Sequence, residues 1–336
     1  MSAGLRNFLR RLRHRRHFPL LLPHFQVEPT GLHPLFGPVR QLDEKVLEAL
    51  RACDGRQTAA KVAGAAGIGM GQLVQQHDEE ALLFWPRPVP PSLPPAPNRI
   101  GAIILSPHPD DAAISLGGMM LAGGPGKVMV VDVFSRTAAW RFPDSLANLA
   151  RIDAIRRREE ALMSLLTGAQ VRMLDLPEAL LRGRTLDEAF TCAAGTGEAA
   201  AGRALAAAAG ELAGQYPHAR WYLPLGIGNH IDHRVVRDAA VEALRRAGVA
   251  DRRVSFYEDL PYAAELDWKD RLGTLAGGKL TSVDLPMGRH ARWKLELLRL
   301  YWSQIAWPQI AEVGRYARRI GRGLAVERVW RREGEI

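Results

Sequence analysis

The chain has 336 residues, 47% of them hydrophobic and 24% charged, which is ordinary for a globular protein and enough for one large domain plus an appendage. Its two cysteines, Cys53 and Cys192, are far apart and in no metal-like spacing, which excludes a disulfide framework and favours a reducing compartment. The formal net charge of +9 favours anionic partners.

Residues 1–24 read as a basic N-terminal tail. Arg6, Arg10, Arg11, Arg13, Arg15 and Arg16 all precede the first acidic residue, Glu28, and Leu5, Phe8, Leu9 and Leu12 fall among them at helical spacing. Two readings stand: an amphipathic helix that touches an anionic membrane surface, and a frayed basic end. No run of about 20 apolar residues is present to span a membrane. Phe18 to Leu22 is short and contains Pro19, and neither a secretory nor a twin-arginine export pattern follows the arginines, so a cytoplasmic location is expected.

Residues 25–85 read as a small, largely helical domain. Leu42, Val46, Leu47 and Leu50 make one apolar face, Asp54-Gly55 is a turn, and Thr58 reads as the N-cap of a helix that Gly67 ends. Leu73, Val74 and Leu82 to Trp85 then suggest another helix and a short strand. Through Leu50 to Thr58 and the Ala-rich helix after them, this stretch resembles the PqqD-like winged-helix modules, which recognise leader peptides. The resemblance implies a winged-helix-like fold and a peptide partner; a generic helical adaptor is the other reading. The segment 58–66 carries only Lys61 as a cation, so no specific nucleic-acid partner is expected. Residues 86–97, with prolines at every second or third position, read as a semi-rigid linker.

From 98 to 336 the pattern alternates. Strands are expected near 100–105, 128–134, 170–174, 220–225 and 253–257, and helices over 112–122, 146–167, 198–214, 233–247 and 288–304. Such alternation predicts an α/β fold with a mostly parallel, Rossmann-like sheet flanked by helices. Residues 191–214 are Ala/Gly-rich, 262–287 reads as a loop or lid carrying Trp268, and the Arg-rich end reads either as a cover for the site or as a solvated segment.

Two segments carry chemistry. Ser106-Pro107-His108-Pro109-Asp110-Asp111 follows the apolar run 100–105 directly, so one imidazole and two carboxylates stand at the carboxyl end of a buried strand. That edge is where ligands bind in open α/β sheets. About 120 residues on, Gly228-Asn229-His230-Ile231-Asp232-His233 follows the run 220–225 and opens a helix, so two imidazoles at i and i+3 face one side. Together the segments supply three neutral or anionic ligands and leave a fourth position open, as a catalytic metal requires.

These residues, with Gly117-Gly118, the helix Arg156-Arg157-Arg158-Glu159-Glu160, Tyr257 to Tyr262, and Lys294 leading to Tyr301-Trp302-Ser303-Gln304, resemble the LmbE-like or PIG-L family of zinc-dependent N-deacetylases over residues 98–310. One departure is Ala112, where many relatives carry Glu. The resemblance implies that His108, Asp111 and His233 hold a Zn²⁺ ion. Iron or cobalt would suit the same ligands. It implies Asp110 as general base, His230 as an imidazolium that stabilises the oxyanion, and hydrolysis of an N-acyl, above all N-acetyl, amide on an amino sugar or glycoconjugate. Asp232 is expected either to orient a nearby imidazole or to be an ordinary first-turn acid. Arg136 and Arg141, just beyond the second strand, and Arg158, Glu258 and Tyr262 are the candidate substrate contacts. The competing classes are a peptide- or glycopeptide-directed deacylase and a nucleic-acid-binding or ligand-sensing regulator built on the N-terminal module.

Overall fold

The computed structural model describes residues 12–34, 37–92, 99–138, 149–265, 267–269 and 279–333. They form two compact units, one of residues 1–92 with 299–303, the other of 93–298 with 304–336.

In the first unit, β1 (Phe18–Leu21) pairs antiparallel with β4 (Leu82–Trp85), and β2 (Phe25–Glu28) pairs antiparallel with β3 (Gly31–Pro34). Three helices lie between them: α1 (Glu44–Arg51), α2 (Ala59–Ala65) and α3 (Met70–Asp78). The apolar face expected on the first of these is real: Val46, Leu47, Ala49 and Leu50 are buried, and Asp43 caps it by accepting from the Lys45 amide. Thr58 stands at the N-cap of α2, although its side chain makes no capping bond. The strand β1 shows that order begins upstream of residue 25, because Phe18 to Leu21 lie in register with Trp85 to Leu82. The expected tail helix at residues 5–12 falls almost wholly outside the described residues.

The second unit is an α/β fold around a seven-stranded sheet of order β10 (Leu280–Pro286), β11 (Val326–Arg332), β9 (Val254–Tyr257), β8 (Arg220–Pro224), β5 (Ala102–Ser106), β6 (Val128–Asp132), β7 (Gln170–Met173). Five strands are parallel: β5, β6, β7, β8 and β9. Every residue of β5 and β6 is buried, the signature of a parallel strand covered on both faces. The helices are α4 (Asp111–Leu121), α5 (Leu149–Thr167), α6 (Leu186–Thr191), α7 (Thr196–Gln215), α8 (Ile231–Arg246), α9 (Tyr262–Glu265), α10 (His290–Leu297) and α11 (Trp307–Ile320). The Ala/Gly-rich stretch is α7, and it packs along α8. Its small residues permit this: a Cβ at Gly202 would already lie 3.6 Å from the Ala239 methyl.

Three expectations needed correction. The region taken as loop or lid contains β10 (Leu280–Pro286), and the Arg-rich end contains α11 and β11 (Val326–Arg332). These two strands pair antiparallel with each other, and β11 joins β9, so they extend the sheet. The single helix expected over 288–304 ends at Leu297 and continues only as a 3-10 turn, Leu298–Tyr301.

Charge hid the last strand. Glu327 on β11 is buried, and its carboxylate accepts from the amides of Gly118 (2.6 Å) and Met119 (2.7 Å) and pairs with Lys294 Nζ (2.8 Å). It thereby satisfies α4 where that helix breaks at Leu116 (φ −126°). A side chain at Gly118 would press on Met287 and on the Glu327 carboxylate, so this glycine is required by close approach.

The sheet order places the site. The chain runs outward from β5 through β6 to β7, then returns to β8 on the other side of β5. The carboxyl ends of β5 and β8 are therefore the topological switch point, where ligands bind in such sheets.

Candidate active site

The two motifs leave these adjacent strands. After β5 the chain turns at once into α4. Ser106 Oγ donates to the His108 carbonyl (2.7 Å) and accepts from the Ala112 amide (3.0 Å), which fixes the turn. Asp110 sits just before the helix at φ 135°, a backbone region that costs a non-glycine residue about 1–3 kcal/mol. After β8, Gly226 (φ 82°), Gly228 (φ 87°) and Asn229 (φ 66°) turn the chain into α8. At Gly228 the Tyr262 ring occupies the space a Cβ would need, so the glycine admits the aromatic ring to the site.

Three ligand atoms converge. Asp111 Oδ2 lies 3.2 Å from His108 Nδ1 and 3.4 Å from His233 Nε2, and all three donor atoms fall within 4.8 Å of one another. Two imidazoles and a carboxylate suit a divalent transition metal, and the absence of thiolates distinguishes the set from a structural cage. Each imidazole is backed by a buried carboxylate on its other nitrogen. His108 Nε2 meets Asp232 Oδ2 (3.0 Å), and His233 Nδ1 meets Asp259 Oδ1 (2.6 Å). Such backing fixes the tautomer of a metal-binding imidazole. The donor set therefore fits a metal ion.

A second grouping of His108, His230 and Asp232 is as compact. It is the weaker metal site, because the Asp232 oxygens are already taken by Arg182 Nη2 (2.5 Å), the Ala179 amide (3.0 Å) and His108. Asp232 stands in the first turn of α8 and its carboxylate also meets the His108 imidazole.

The electrostatics separate the two neighbouring aspartates in the protein alone. Burial would raise Asp111, but the imidazoles of His233 and His108 outweigh it and bring its carboxyl down to about 2. Burial also raises Asp110, and there the nearby Asp111 charge adds to it against Arg156, so its carboxyl is pushed up to about 6. Burial alone would lower His108, yet its bonds to Asp111 and Asp232 carry it well above the usual imidazole range.

His230 stands at the N-cap of α8. Its Nδ1 accepts the Asp232 amide hydrogen (3.2 Å), which leaves a neutral ring with its hydrogen on Nε2. Burial, reinforced by His108 and His233, holds it down to about 3. Both the contact and the burial favour a neutral imidazole at His230 over an imidazolium.

His108, Asp110, Asp111, His230 and His233 line the floor of a cavity of about 230 Å³. Its lining also mixes apolar Leu180, Phe190, Leu260 and Ile305 with polar Glu178, Glu265, Gln304 and Gln309. Tyr262 also lines it, its ring edge-on to His233 at 5.9 Å between centroids.

The other candidate contacts fare differently. Arg136 is exposed and bridges Pro177 through its backbone, away from the cavity lining. Arg158 is replaced by Arg156, which lines the cavity and donates from Nη2 to Asp110 Oδ1 (3.2 Å). The buried face of α5 holds Ile152, Ile155, Arg156, Glu159, Glu160 and Met163, and Arg158 falls off that face. Glu258 is buried but turned away: it accepts from Tyr316 Oη (2.7 Å) and Trp330 Nε1 (3.0 Å). Arg141 lies outside the described residues.

Sequence reasoning missed Arg156, Arg182 and Asp259. Asp259 was one position from a chosen residue, and the period-2 alternation after β9 was the available signal, since neighbours on an extended chain point to opposite sides.

The family model described as PIG-L, GlcNAc-PI de-N-acetylase, matches residues 103–244. A curated relative, the 2'-N-acetylparomamine deacetylase of Streptomyces fradiae, is 34% identical over 234 residues, 66% of this chain and 80% of the relative. Among solved structures, a zinc-inhibited form of a teicoplanin deacetylase aligns with a TM-score of 0.53 at 19% identity, over 70% of this chain and 99% of that one. An A40926 pseudoaglycone deacetylase aligns with a TM-score of 0.50 at 22% identity, over 71% and 100% of the two chains. At these identities the two structures speak for the fold.

Proposed function

Because the chain belongs to the PIG-L (LmbE-like) family, we propose that it is a metal-dependent N-deacetylase that removes an acetyl group from the nitrogen of an amino sugar. The observation that carries this reading is the convergence of His108 Nδ1, Asp111 Oδ2 and His233 Nε2 on the floor of a cavity that Asp110 and His230 also line.

His108, Asp111 and His233 would hold the ion, zinc being the best match to two imidazoles and a carboxylate. When bound, such an ion lowers the pKa of water toward 7 and polarises a carbonyl. Asp110 is the free carboxylate beside that set. It takes a proton from the attacking water as the oxygen adds to the amide carbon. It then returns that proton to the nitrogen as the C–N bond breaks, giving a carboxylic acid and a free amine. His230 Nε2–H donates to the oxygen that becomes negative when the carbon turns tetrahedral. Arg156 holds one oxygen of Asp110, and both residues line the cavity.

The paromamine relative, 34% identical to this chain over 234 residues, supports an N-acetylated amino sugar as the substrate class. The test is acetate release from a panel of N-acetylated amino sugars, beside elemental analysis of the purified protein. Protein that carries a stoichiometric divalent metal and releases no acetate from any of them overturns the reading.

A further inference from the structure

Asp259 stands on the loop after β9 and is 1% exposed. One of its oxygens, Oδ1, meets His233 Nδ1 at 2.6 Å. The other, Oδ2, accepts from the amides of Gly226 (2.7 Å) and Ile227 (2.9 Å). Those two residues begin the turn that carries His230 and His233 into α8. One carboxylate thus ties the ligand-bearing turn to the ligand itself.

We infer that Asp259 is a positioning residue of the metal site, which sets His233 in the Nδ1–H tautomer and aims its Nε2 lone pair at the ion. The inference rests on the proposed role of His233 as a ligand. A carboxylate offers only acceptors, so the hydrogen shared with His233 belongs to Nδ1. Nε2 is then bare, and it is the atom that faces Asp111 Oδ2.

Asp232 backs His108 in a different way. Its charge is matched by Arg182 at 2.5 Å, whereas the three contacts named for Asp259 are all to N–H groups of the imidazole and the backbone. The two ligand imidazoles also use opposite nitrogens, Nδ1 on His108 and Nε2 on His233.

An amide cannot replace this carboxylate. With its oxygen toward His233, its NH₂ would face the Gly226 and Ile227 donors. With the NH₂ toward His233, the imidazole must accept on Nδ1, and its hydrogen moves to Nε2, where the metal would bind. Both orientations fail at one end.

The experiment measures metal affinity by chelator competition on the full chain, alongside thermal unfolding of the metal-free form. Asp259→Asn should weaken metal binding about 10- to 100-fold. Glu258→Gln is the control: Glu258 is the adjacent residue, also buried but bonded to Tyr316 and Trp330, so affinity should stay within about twofold while stability falls. Asp259→Asn with wild-type affinity, or equal metal loss in both variants, overturns the inference.

Should Asp259→Asn fail to fold, ¹⁵N-histidine spectra of the metal-loaded wild-type protein decide. His233 should keep its hydrogen on Nδ1 with the metal-shifted signal on Nε2; a metal-shifted Nδ1 overturns the inference. A His233→Ala variant with unchanged metal affinity would instead sink the proposed ligand set.

Discussion

Asp110 Oδ1 and Arg156 Nη2 meet at 3.2 Å in the cavity floor, where the arginine is only 1% exposed. The aspartate is thus the free carboxylate beside the ligand set, held by a cation and strained at φ 135°. A general base, the role proposed for Asp110, contributes about 10²–10⁴-fold to a rate. Asp110→Asn should therefore lower kcat at least about 100-fold with metal content unchanged, as read by acetate release and elemental analysis. Retained turnover would remove Asp110 from the mechanism.

Much of this site was legible in the sequence because it is built from two local motifs. His108 to Asp111 and Gly228 to His233 each follow an apolar strand, and the strand-end rule alone brings them to one edge of a sheet. What was not legible acts across the fold. Arg156 could be chosen over Arg158 only by knowing which face of a 19-residue helix is buried, and the helix has no strong apolar stripe because its buried face carries Arg156, Glu159 and Glu160. The strand β11 was masked for a related reason. Its Glu327 and three arginines read as solvated end until Lys294, about 30 residues away in sequence, is seen to neutralise the acid. Polar residues satisfied by distant partners leave no periodic trace.

His230 offers a second test of the chemistry. Its Nδ1 is taken by the Asp232 amide, so Nε2–H is the group available to a developing oxyanion. His230→Ala should cost about 100- to 1000-fold in kcat, the usual loss for one such donor. The metal should stay, since His230 is not one of the three proposed ligands. Loss of metal in this variant would favour the alternative grouping with His108 and Asp232.

Metal removal should register in stability as well as activity. The ligands come from two turns that are far apart in sequence, and an ion that binds only the folded chain stabilises it by mass action. At a free metal concentration of about 1,000 times Kd this amounts to roughly 4 kcal/mol. Exhaustive chelation should lower the Tm and abolish acetate release, and added zinc should restore both. A Tm unchanged by chelation would argue that no ion bridges the turns.

Lys294 and Glu327 are each about 1% exposed and lie 2.8 Å apart. The acid also receives the Gly118 and Met119 amides, and the lysine also donates to the Ser115 carbonyl (3.3 Å). Removing one partner of a buried pair leaves an uncompensated charge, at a cost of about 3–5 kcal/mol. Lys294→Met should lose that much in urea unfolding. Lys294→Met with Glu327→Gln should recover part of it, because no charge is then stranded. A double variant no better than the single would show that the amide contacts, not the ion pair, dominate.

Glu198 on α7 gives a pH-dependent test that is independent of the metal. It is buried against Arg184 (3.1 Å) and Arg182 (3.3 Å), and it accepts the Gly195 amide hydrogen (2.8 Å). Burial opposes its ionisation, but Arg184 and the backbone donors prevail and bring it from 4.5 down to about 2. A carboxyl depressed by folding stabilises the native state above its unfolded value, and that contribution fades as pH falls from about 4.5 toward 2. Glu198→Gln should therefore unfold at a lower temperature than wild type at pH 7, and the gap should narrow as the pH is lowered below about 4.5 toward 2. Arg182 gives the result reach into the site, since the same guanidinium holds Asp232 behind His108. A gap that stays constant with pH would mean that Glu198 contributes through packing and neutral hydrogen bonds alone.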